Sequence, residues 1–199
     1  VAANAVTPPP AHPLPERPPL KTGQNLRILF VGRLQARKNI ANLLQACASR
    51  PAGQQPAVVI VGDGPDRARL ETLAAEIFPA ATFTGALYDE DLEAQFRAAD
   101  LFVLPGTGGL AIQQAMSFGL PVIAAEADGT QADLVRPVSG WQVKAGDVAA
   151  LSQALDEALS DPSRLRQMGA ESYRIVAEEI NLDKMVSVFV QALKRSVAS

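Results

Sequence analysis

The stretch VGRLQARKN (31–39) places Gly32 and Arg33 just past an apolar run. Lys38 stands five residues beyond Arg33, directly before a helical pattern that Asn39 could cap. Arginine offers phosphate oxygens a planar fork of donors, and lysine offers a point charge. Two cations beside a helix N-terminus bring charge, free amides and the helix dipole together, which is the chemistry of an anion site. A solvated basic turn would have the same composition. A second stretch, PGTGGLAIQQAMSFGLPVI (105–123), packs Gly106, Thr107, Gly108 and Gly109 between an apolar run and another helical pattern. Small residues there let a ligand approach the backbone closely, and amides near Gly108, Gly109 and Leu110 would point outward from the helix start. No G-K-[ST] follows, so this is not a P-loop, and its place along the chain is not that of the dinucleotide fingerprint. A tight strand-to-helix turn would also need these glycines. Gln113 and Gln114 are polar on an otherwise apolar helix. Gln114 stands four residues from both Leu110 and Phe118, which predicts an inward-facing amide. A buried amide needs partners, and either ligand hydroxyls or backbone could supply them.

Other polar residues admit both a chemical and a structural reading. In VGDGPDRARL (61–70), Gly62 and Gly64 permit a tight turn and Pro65 suits a first helical turn. Asp63 and Asp66 could coordinate a cation, although helix capping accounts for them more simply. In GALYDEDL (85–92), Asp89 and Asp91 form a D-x-D triplet that could hold a divalent metal, or equally serve as first-turn acids. Tyr88 could stack on a base. The single histidine, His12, lies in a proline-rich segment, so the body of the chain has no imidazole base and no metal-ligand cluster. The single cysteine, Cys47, falls on an apolar helical stripe and reads as a buried structural thiol in a reducing compartment.

The elements that must position these residues follow from periodicity. Short apolar runs at 26–31, 57–62, 81–85, 100–105, 120–125 and 141–143 read as fully buried strands. Helical stripes separate them: Ile40, Leu43, Leu44 and Cys47; Leu70, Leu73, Ala74 and Ile77; Leu92, Phe96 and Ala99. This alternation predicts an α/β fold, a Rossmann-like doubly wound parallel sheet of about six strands with helices on both faces. Ligands bind such sheets beyond the carboxyl ends of the strands, which selects the loops 32–38, 62–66, 85–89, 105–109 and 126–131. Gly32, Gly62, Gly64, Gly85, Gly106, Gly108, Gly109 and Gly129 all fall in them. From about Gly146 the pattern turns wholly helical. One stripe holds Val148, Leu151, Leu155 and Ala158, and a second helix is expected over 163–178. A third follows the possible cap Asn181, with Leu182, Met185, Val186, Phe189, Val190 and Leu193 on one face.

Length and charge bound the function. At 199 residues and 48% apolar the chain suits one domain with appendages: a hinge and proline-rich linker over 1–24, a core domain over 25–180, and a terminal helix over 181–199. Residues 7–19 hold seven prolines and predict an extended, semi-rigid segment. A net charge of −3 offers no basic field for nucleic acid. No apolar run approaches the roughly 18 residues of a membrane span. The opening VAANAV lacks Met and is not a signal peptide, so the chain is expected to be a fragment of something longer.

In order and spacing these stretches resemble the C-terminal half of a GT-B glycosyltransferase of the retaining group-one kind, nearly end to end. VAANAV is similar to that family's V-x-x-N-G-V hinge between two domains. ILFVGRLQARKN resembles its strand with G-R and K-G, and VVIVGDGPDRARL its V-G-x-G-P segment. FTGAL and DLEAQFRAADLFVLP match the next two elements, and PGTGGLAIQQAMSFGLPVIA matches the donor-binding segment. ADGTQADLV, SGWQV and the closing helices complete the likeness.

The resemblance implies a nucleotide-diphosphate sugar as ligand. Gly32, Arg33 and Lys38, with Gly106, Thr107, Gly108, Gly109 and Leu110, would meet its diphosphate and sugar; Gln114 would meet the ribose, and Gly85, Ala86 and Leu87 would lie near the base. It implies no cofactor and no metal. It implies retaining transfer to a glycan or lipid-linked acceptor, with the β-phosphate leaving and Arg33 and Lys38 stabilising its charge. The family's acceptor site and catalytic histidine lie in an N-terminal domain absent here, so the chain alone is expected to bind a nucleotide sugar and not turn it over. The closing helix would pack toward that domain or cover a dimer contact. The setting implied is bacterial polysaccharide biosynthesis, of lipopolysaccharide or capsule, in the cytoplasm, with peripheral contact at the inner membrane face through the full-length protein. One departure bears on the donor: typical members read E-G-F-G-L-x-x-x-E-A-M, and the two glutamate positions here hold Gly106 and Gln114. A nucleotide-sugar epimerase on the same scaffold and a non-catalytic nucleotide-binding module are the alternatives.

Overall fold

A computed structural model describes residues 10–20, 25–51, 53–127 and 130–197. The expected hinge VAANAV and Gly129 lie outside the described residues. Six strands form one sheet: β1 (Arg27–Val31), β2 (Ala57–Val61), β3 (Thr82–Gly85), β4 (Leu101–Leu104), β5 (Val122–Ala125) and β6 (Gly140–Val143). Every pairing is parallel, and the strand order is β3-β2-β1-β4-β5-β6. β4 and β5 are buried at every residue, as strands covered on both faces must be.

The covering helices are α1 (Ile40–Ala48), α2 (Arg67–Ile77), α3 (Asp89–Ala98), α4 (Leu110–Ser117), α5 (Thr130–Leu134), α6 (Val148–Ser160), α7 (Pro162–Arg174) and α8 (Leu182–Val197). α1 packs against α2 and α6, and α4 packs against α7. Phe96 of α3 stacks on Phe118 with ring centroids 5.3 Å apart. Such pairs add about 0.5–1.5 kcal/mol beyond their burial. Cys47 is buried in the core, and that burial pushes its thiol pKa up to about 12.

The last three helices are separated by side-chain caps. Asp147 accepts from the Ala150 amide at 2.9 Å, and Asp161, ahead of Pro162, accepts from the Arg164 amide at 2.9 Å. α7 runs on into a π-turn over Ile175–Glu179, so helical structure covers the whole of the span expected over 163–178. Asn181 works in both directions. Its Oδ1 accepts from the Lys184 amide at 3.0 Å, and its Nδ2 donates to the carbonyls of Val176 and Ala177 at 3.1 and 2.9 Å. α8 leaves Val186, Phe189, Val190 and Leu193 exposed. The five-residue α5 is absent from the sequence-based expectation, because one turn and a half cannot display a helical period.

The described part of the proline-rich segment, residues 10–19, forms no helix or strand and is laid on the domain rather than spanning free. Arg17 donates to the carbonyls of Phe96 at 2.9 Å, Arg97 at 3.2 Å and Ala99 at the end of α3, and to Phe118 at 2.9 Å at the end of α4. One guanidinium therefore serves the carbonyl ends of two helices, where orphan acceptors and the dipole both favour a cation. Burial, and then Arg166, pushes its pKa down to about 10. Tyr173 donates its hydroxyl hydrogen to the His12 carbonyl at 2.8 Å, and Arg166 donates to the Pro18 carbonyl at 3.2 Å.

Candidate functional site

In sheets of this strand order the crevice for a ligand lies at the switch point, where the chain reverses direction across the sheet, here between β1 and β4. The loops that leave these two strands carry Arg33 and Lys38 and the Gly106–Gly109 run. The structure joins them directly. The Thr107 amide donates to the Arg37 carbonyl at 3.2 Å, and Lys38 Nζ donates to the Thr107 carbonyl at 2.5 Å. Asn39 Nδ2 donates to the Pro105 carbonyl at 3.2 Å. Asn39 is thus not the side-chain cap that its position predicts. After the 3-10 turn Ala36–Lys38 it adopts a left-handed conformation (φ 51°), which turns its amide across to the other loop and away from the α1 amides.

The same junction accounts for Gly106. A Cβ there would stand 2.2 Å from the Arg37 carbonyl oxygen and 2.6 Å from the Lys38 Cα. Both are backbone atoms and cannot swing aside, so the 37–38 backbone occupies the space that a glutamate at this position would enter. Gly108 is close-packed for a different reason. It has φ 143°, and a Cβ on it would lie 2.6 Å from Lys38 Nζ. The ammonium therefore rests on the turn that opens α4.

The charge around the crevice is mostly positive. Arg33 is exposed and forms no hydrogen bond or ion pair with a described residue. Lys38 is half-buried, and that burial, followed by the neighbouring Arg37, lowers its pKa. Nearby carboxylates are already engaged. Asp63 accepts from the Gly64 amide at 2.7 Å and pairs with Arg67 at 3.1 Å, and Asp66 pairs with Arg69 at 3.1 Å. These two aspartates make ion pairs in place of the helix-capping bonds expected of them. Their loop supports the first one: the Leu34 amide donates to the Asp63 carbonyl at 2.9 Å, and a Cβ on Gly64 would meet the Leu34 carbonyl at 2.2 Å. Asp89 and Asp91 occupy the first turn of α3. Among the described residues no group of three or more His, Cys, Asp or Glu is placed to hold a metal ion.

The remaining expected residues lie along the same edge. Gly85 is buried, Ala86 exposed and Leu87 half-buried. A Cβ on Gly85 would come 3.2 Å from the Arg67 guanidinium, so this arginine borders the turn expected to lie near a base. On α4 the inward amide is Gln113, 2% exposed, and Gln114 is only half-buried. Leu110 is 62% exposed, so the face it shares with Gln114 tilts toward solvent, and the buried arc runs through Ile112, Gln113 and Met116. A half-buried Gln114 is accessible at the crevice wall. One residue escapes the sequence reading. Gln131 of α5, 1% exposed, donates Nε2 to the Gly108 carbonyl at 2.7 Å. Its Oε1 and the Thr107 hydroxyl are buried with no hydrogen-bond partner among the described residues.

Comparison with known proteins agrees with this geometry. The family described as "Glycosyl transferases group 1" matches over residues 15–175. A GDP-mannose-dependent alpha-mannosyltransferase of Mycolicibacterium smegmatis is 42% identical over 111 residues, 54% of this chain and 27% of that protein. A GDP-mannose-dependent monoacylated alpha-(1-6)-phosphatidylinositol monomannoside mannosyltransferase of Corynebacterium glutamicum is 35% identical over 152 residues, 69% of this chain and 39% of that protein. The chain thus spans well under half the length of these relatives. Among solved structures, sucrose-phosphate synthase from Thermosynechococcus elongatus superposes with a TM-score of 0.75 at 29% identity, covering 88% of this chain and 46% of that one. Anabaena HepE, solved with UDP, superposes with a TM-score of 0.74 at 21% identity, covering 86% and 49%, a likeness of fold alone. With a family match across nearly all of the described domain, the chain belongs to the group 1 glycosyl transferases.

Proposed function

We propose that this chain is the donor-binding half of a retaining glycosyltransferase, and that it takes a nucleotide-diphosphate sugar, the donor being GDP- or UDP-linked. One observation carries the reading: Lys38 stands against the turn that opens α4 at the β1/β4 crevice, and Arg33, exposed and with no partner among the described residues, lies on the same loop five residues earlier. Lys38 can exchange its carbonyl partner for a phosphate oxygen, and the exposed Arg33 can reach the same anion. Such donors stabilise a departing diphosphate most where charge develops, at the oxygen whose bond to the sugar breaks. Gln114 can bond ribose hydroxyls from the crevice wall, and the 85–87 turn bounds the base. Neither cofactor nor metal is needed for this role. Relatives named as mannosyltransferases of phosphatidylinositol mannosides support a lipid-linked or glycan acceptor, held by a second domain outside this chain. The whole protein would work on the cytoplasmic side of the membrane, and the present chain would bind donor without turning it over. Gly106 favours one alternative, a nucleotide-binding module without transferase activity.

Calorimetric titration with GDP and UDP tests the reading. Lys38→Ala and Arg33→Ala should each weaken binding about tenfold, the scale of one charge-assisted contact. Unchanged affinity in both variants, or no binding by the parent chain at millimolar nucleotide, would refute it.

A further inference from the structure

The turn that opens α4 and the Gln131 side chain of α5 bonded to it hold two oxygens that no described residue engages. Thr107 Oγ1 is buried without a partner among the described residues, and so is Oε1 of Gln131, whose own amide nitrogen is fixed on the Gly108 carbonyl at 2.7 Å. Buried polar atoms are rarely left unpaired, so each is a candidate for a ligand contact. Their chemistry separates them from the rest of the crevice. Arg33, Lys38 and the α4 amides are donors and suit phosphate oxygens, which accept only. An amide oxygen is also acceptor-only and would repel a phosphate; a hydroxyl satisfies it by donating. Thr107 Oγ1 can donate or accept, which again fits a hydroxyl. Lys38 Nζ covers this turn, bonded to the Thr107 carbonyl and lying over Gly108. Transfer of Lys38 to a phosphate would uncover it.

We propose that Thr107 and Gln131 bind hydroxyls of the donor's sugar and determine which sugar is accepted. Resting on the nucleotide-sugar reading above, they supply the recognition that Gly106 cannot, because the 37–38 backbone fills the space in front of it. Phosphate engages first and draws Lys38 off the turn; the sugar then meets the two oxygens.

The 199-residue chain is titrated with GDP, UDP, GDP-mannose and UDP-glucose. The parent should bind one sugar nucleotide more tightly than its own diphosphate. Thr107→Val, which removes the hydroxyl and keeps the shape, should weaken that sugar nucleotide about three- to tenfold, the scale of a neutral hydrogen bond. It should leave the diphosphate unchanged, and Thr107→Ser should restore affinity. Gln131→Met should act in the same direction. A purely structural role would not give this split, and it predicts a lower melting temperature for Thr107→Val, whereas loss of an unpaired buried hydroxyl should leave the unliganded melt unchanged or raised. Equal loss of diphosphate and sugar nucleotide, or no loss of either, overturns the proposal and leaves the nucleotide site standing. A parent chain that binds none of the four overturns both.

Discussion

Gly106→Ala isolates the fit between the two crevice loops. A methyl group there would stand 2.2 Å from the Arg37 carbonyl oxygen and 2.6 Å from two backbone carbons of Lys38, so one loop must move. Overpacking of this kind costs about 1–3 kcal/mol. Movement also strains the Thr107–Arg37 and Asn39–Pro105 bonds, each worth about 1 kcal/mol net. Loss of glycine's freedom in the unfolded chain returns about 0.4–1 kcal/mol. The balance is a destabilisation of about 2–4 kcal/mol, which for a domain of this size lowers the melting temperature by roughly 5–15 °C. Gly106 carries no left-handed φ, so the effect is steric alone. Thermal unfolding followed by circular dichroism reads it out. A variant melting within about 2 °C of the parent, or above it, would show that the loops yield freely and that the steric account of the missing glutamate is wrong. On the same argument Gly106→Glu melts no higher than Gly106→Ala and gains no donor affinity.

Arg17→Lys should cost about 2–4 kcal/mol in chemical denaturation, because an ammonium cannot reach the four carbonyls that the guanidinium spans. For Cys47 the folded-state pKa is raised, from 9.0 to about 12, so its contribution is complete below pH 9 and is lost as pH climbs toward 12. The loss is at most about 1.4 kcal/mol per pH unit, and Cys47→Ala should flatten that alkaline limb. A thiol reagent at pH 8 should label the native chain only as fast as it unfolds. Asp in place of Val186, Phe189 or Leu193 should shift stability by no more than about 0.5 kcal/mol each, since all three are exposed; a larger loss would mean that α8 packs on its own domain.

The four central strands were legible because each is a nearly continuous apolar run, a pattern that survives without knowledge of what lies opposite. The edge strands β3 (TFTG) and β6 (GWQV), expected to be fully buried like the others, are only partly so because each has a neighbour on one side alone. The loops at the β1/β4 switch point were legible for a related reason: strand ends, glycines and cations coincide in sequence before they coincide in space. The remainder depends on contacts between distant residues. Arg17 reads as one more charge in a proline-rich stretch until the ends of α3 and α4 arrive beside it. Asn39 has the sequence position of a cap, but a carbonyl on another loop takes its side chain. Gln113 and Gln114 are neighbours in sequence and about 100° apart around a helix, so the choice of the inward one turns on the tilt of α4, which no local pattern records. Gln131 sits on a helix too short to announce itself.

The topology also bears on how the chain assembles. β1 meets β2 early, since Arg27 pairs with Ala57, whereas the seam with β4 joins Ile28 to Leu101. Non-local pairings of this sort form slowly, and domains begin to fold from the N-terminal side during synthesis. A nascent chain that has released β1, β2 and β3 therefore carries one open edge of β1, a template for mispairing, until β4 is made and docks. The candidate site lies on that seam. Its amides, the Thr107 N–H above all, become protected from hydrogen exchange only when the two halves of the sheet have closed.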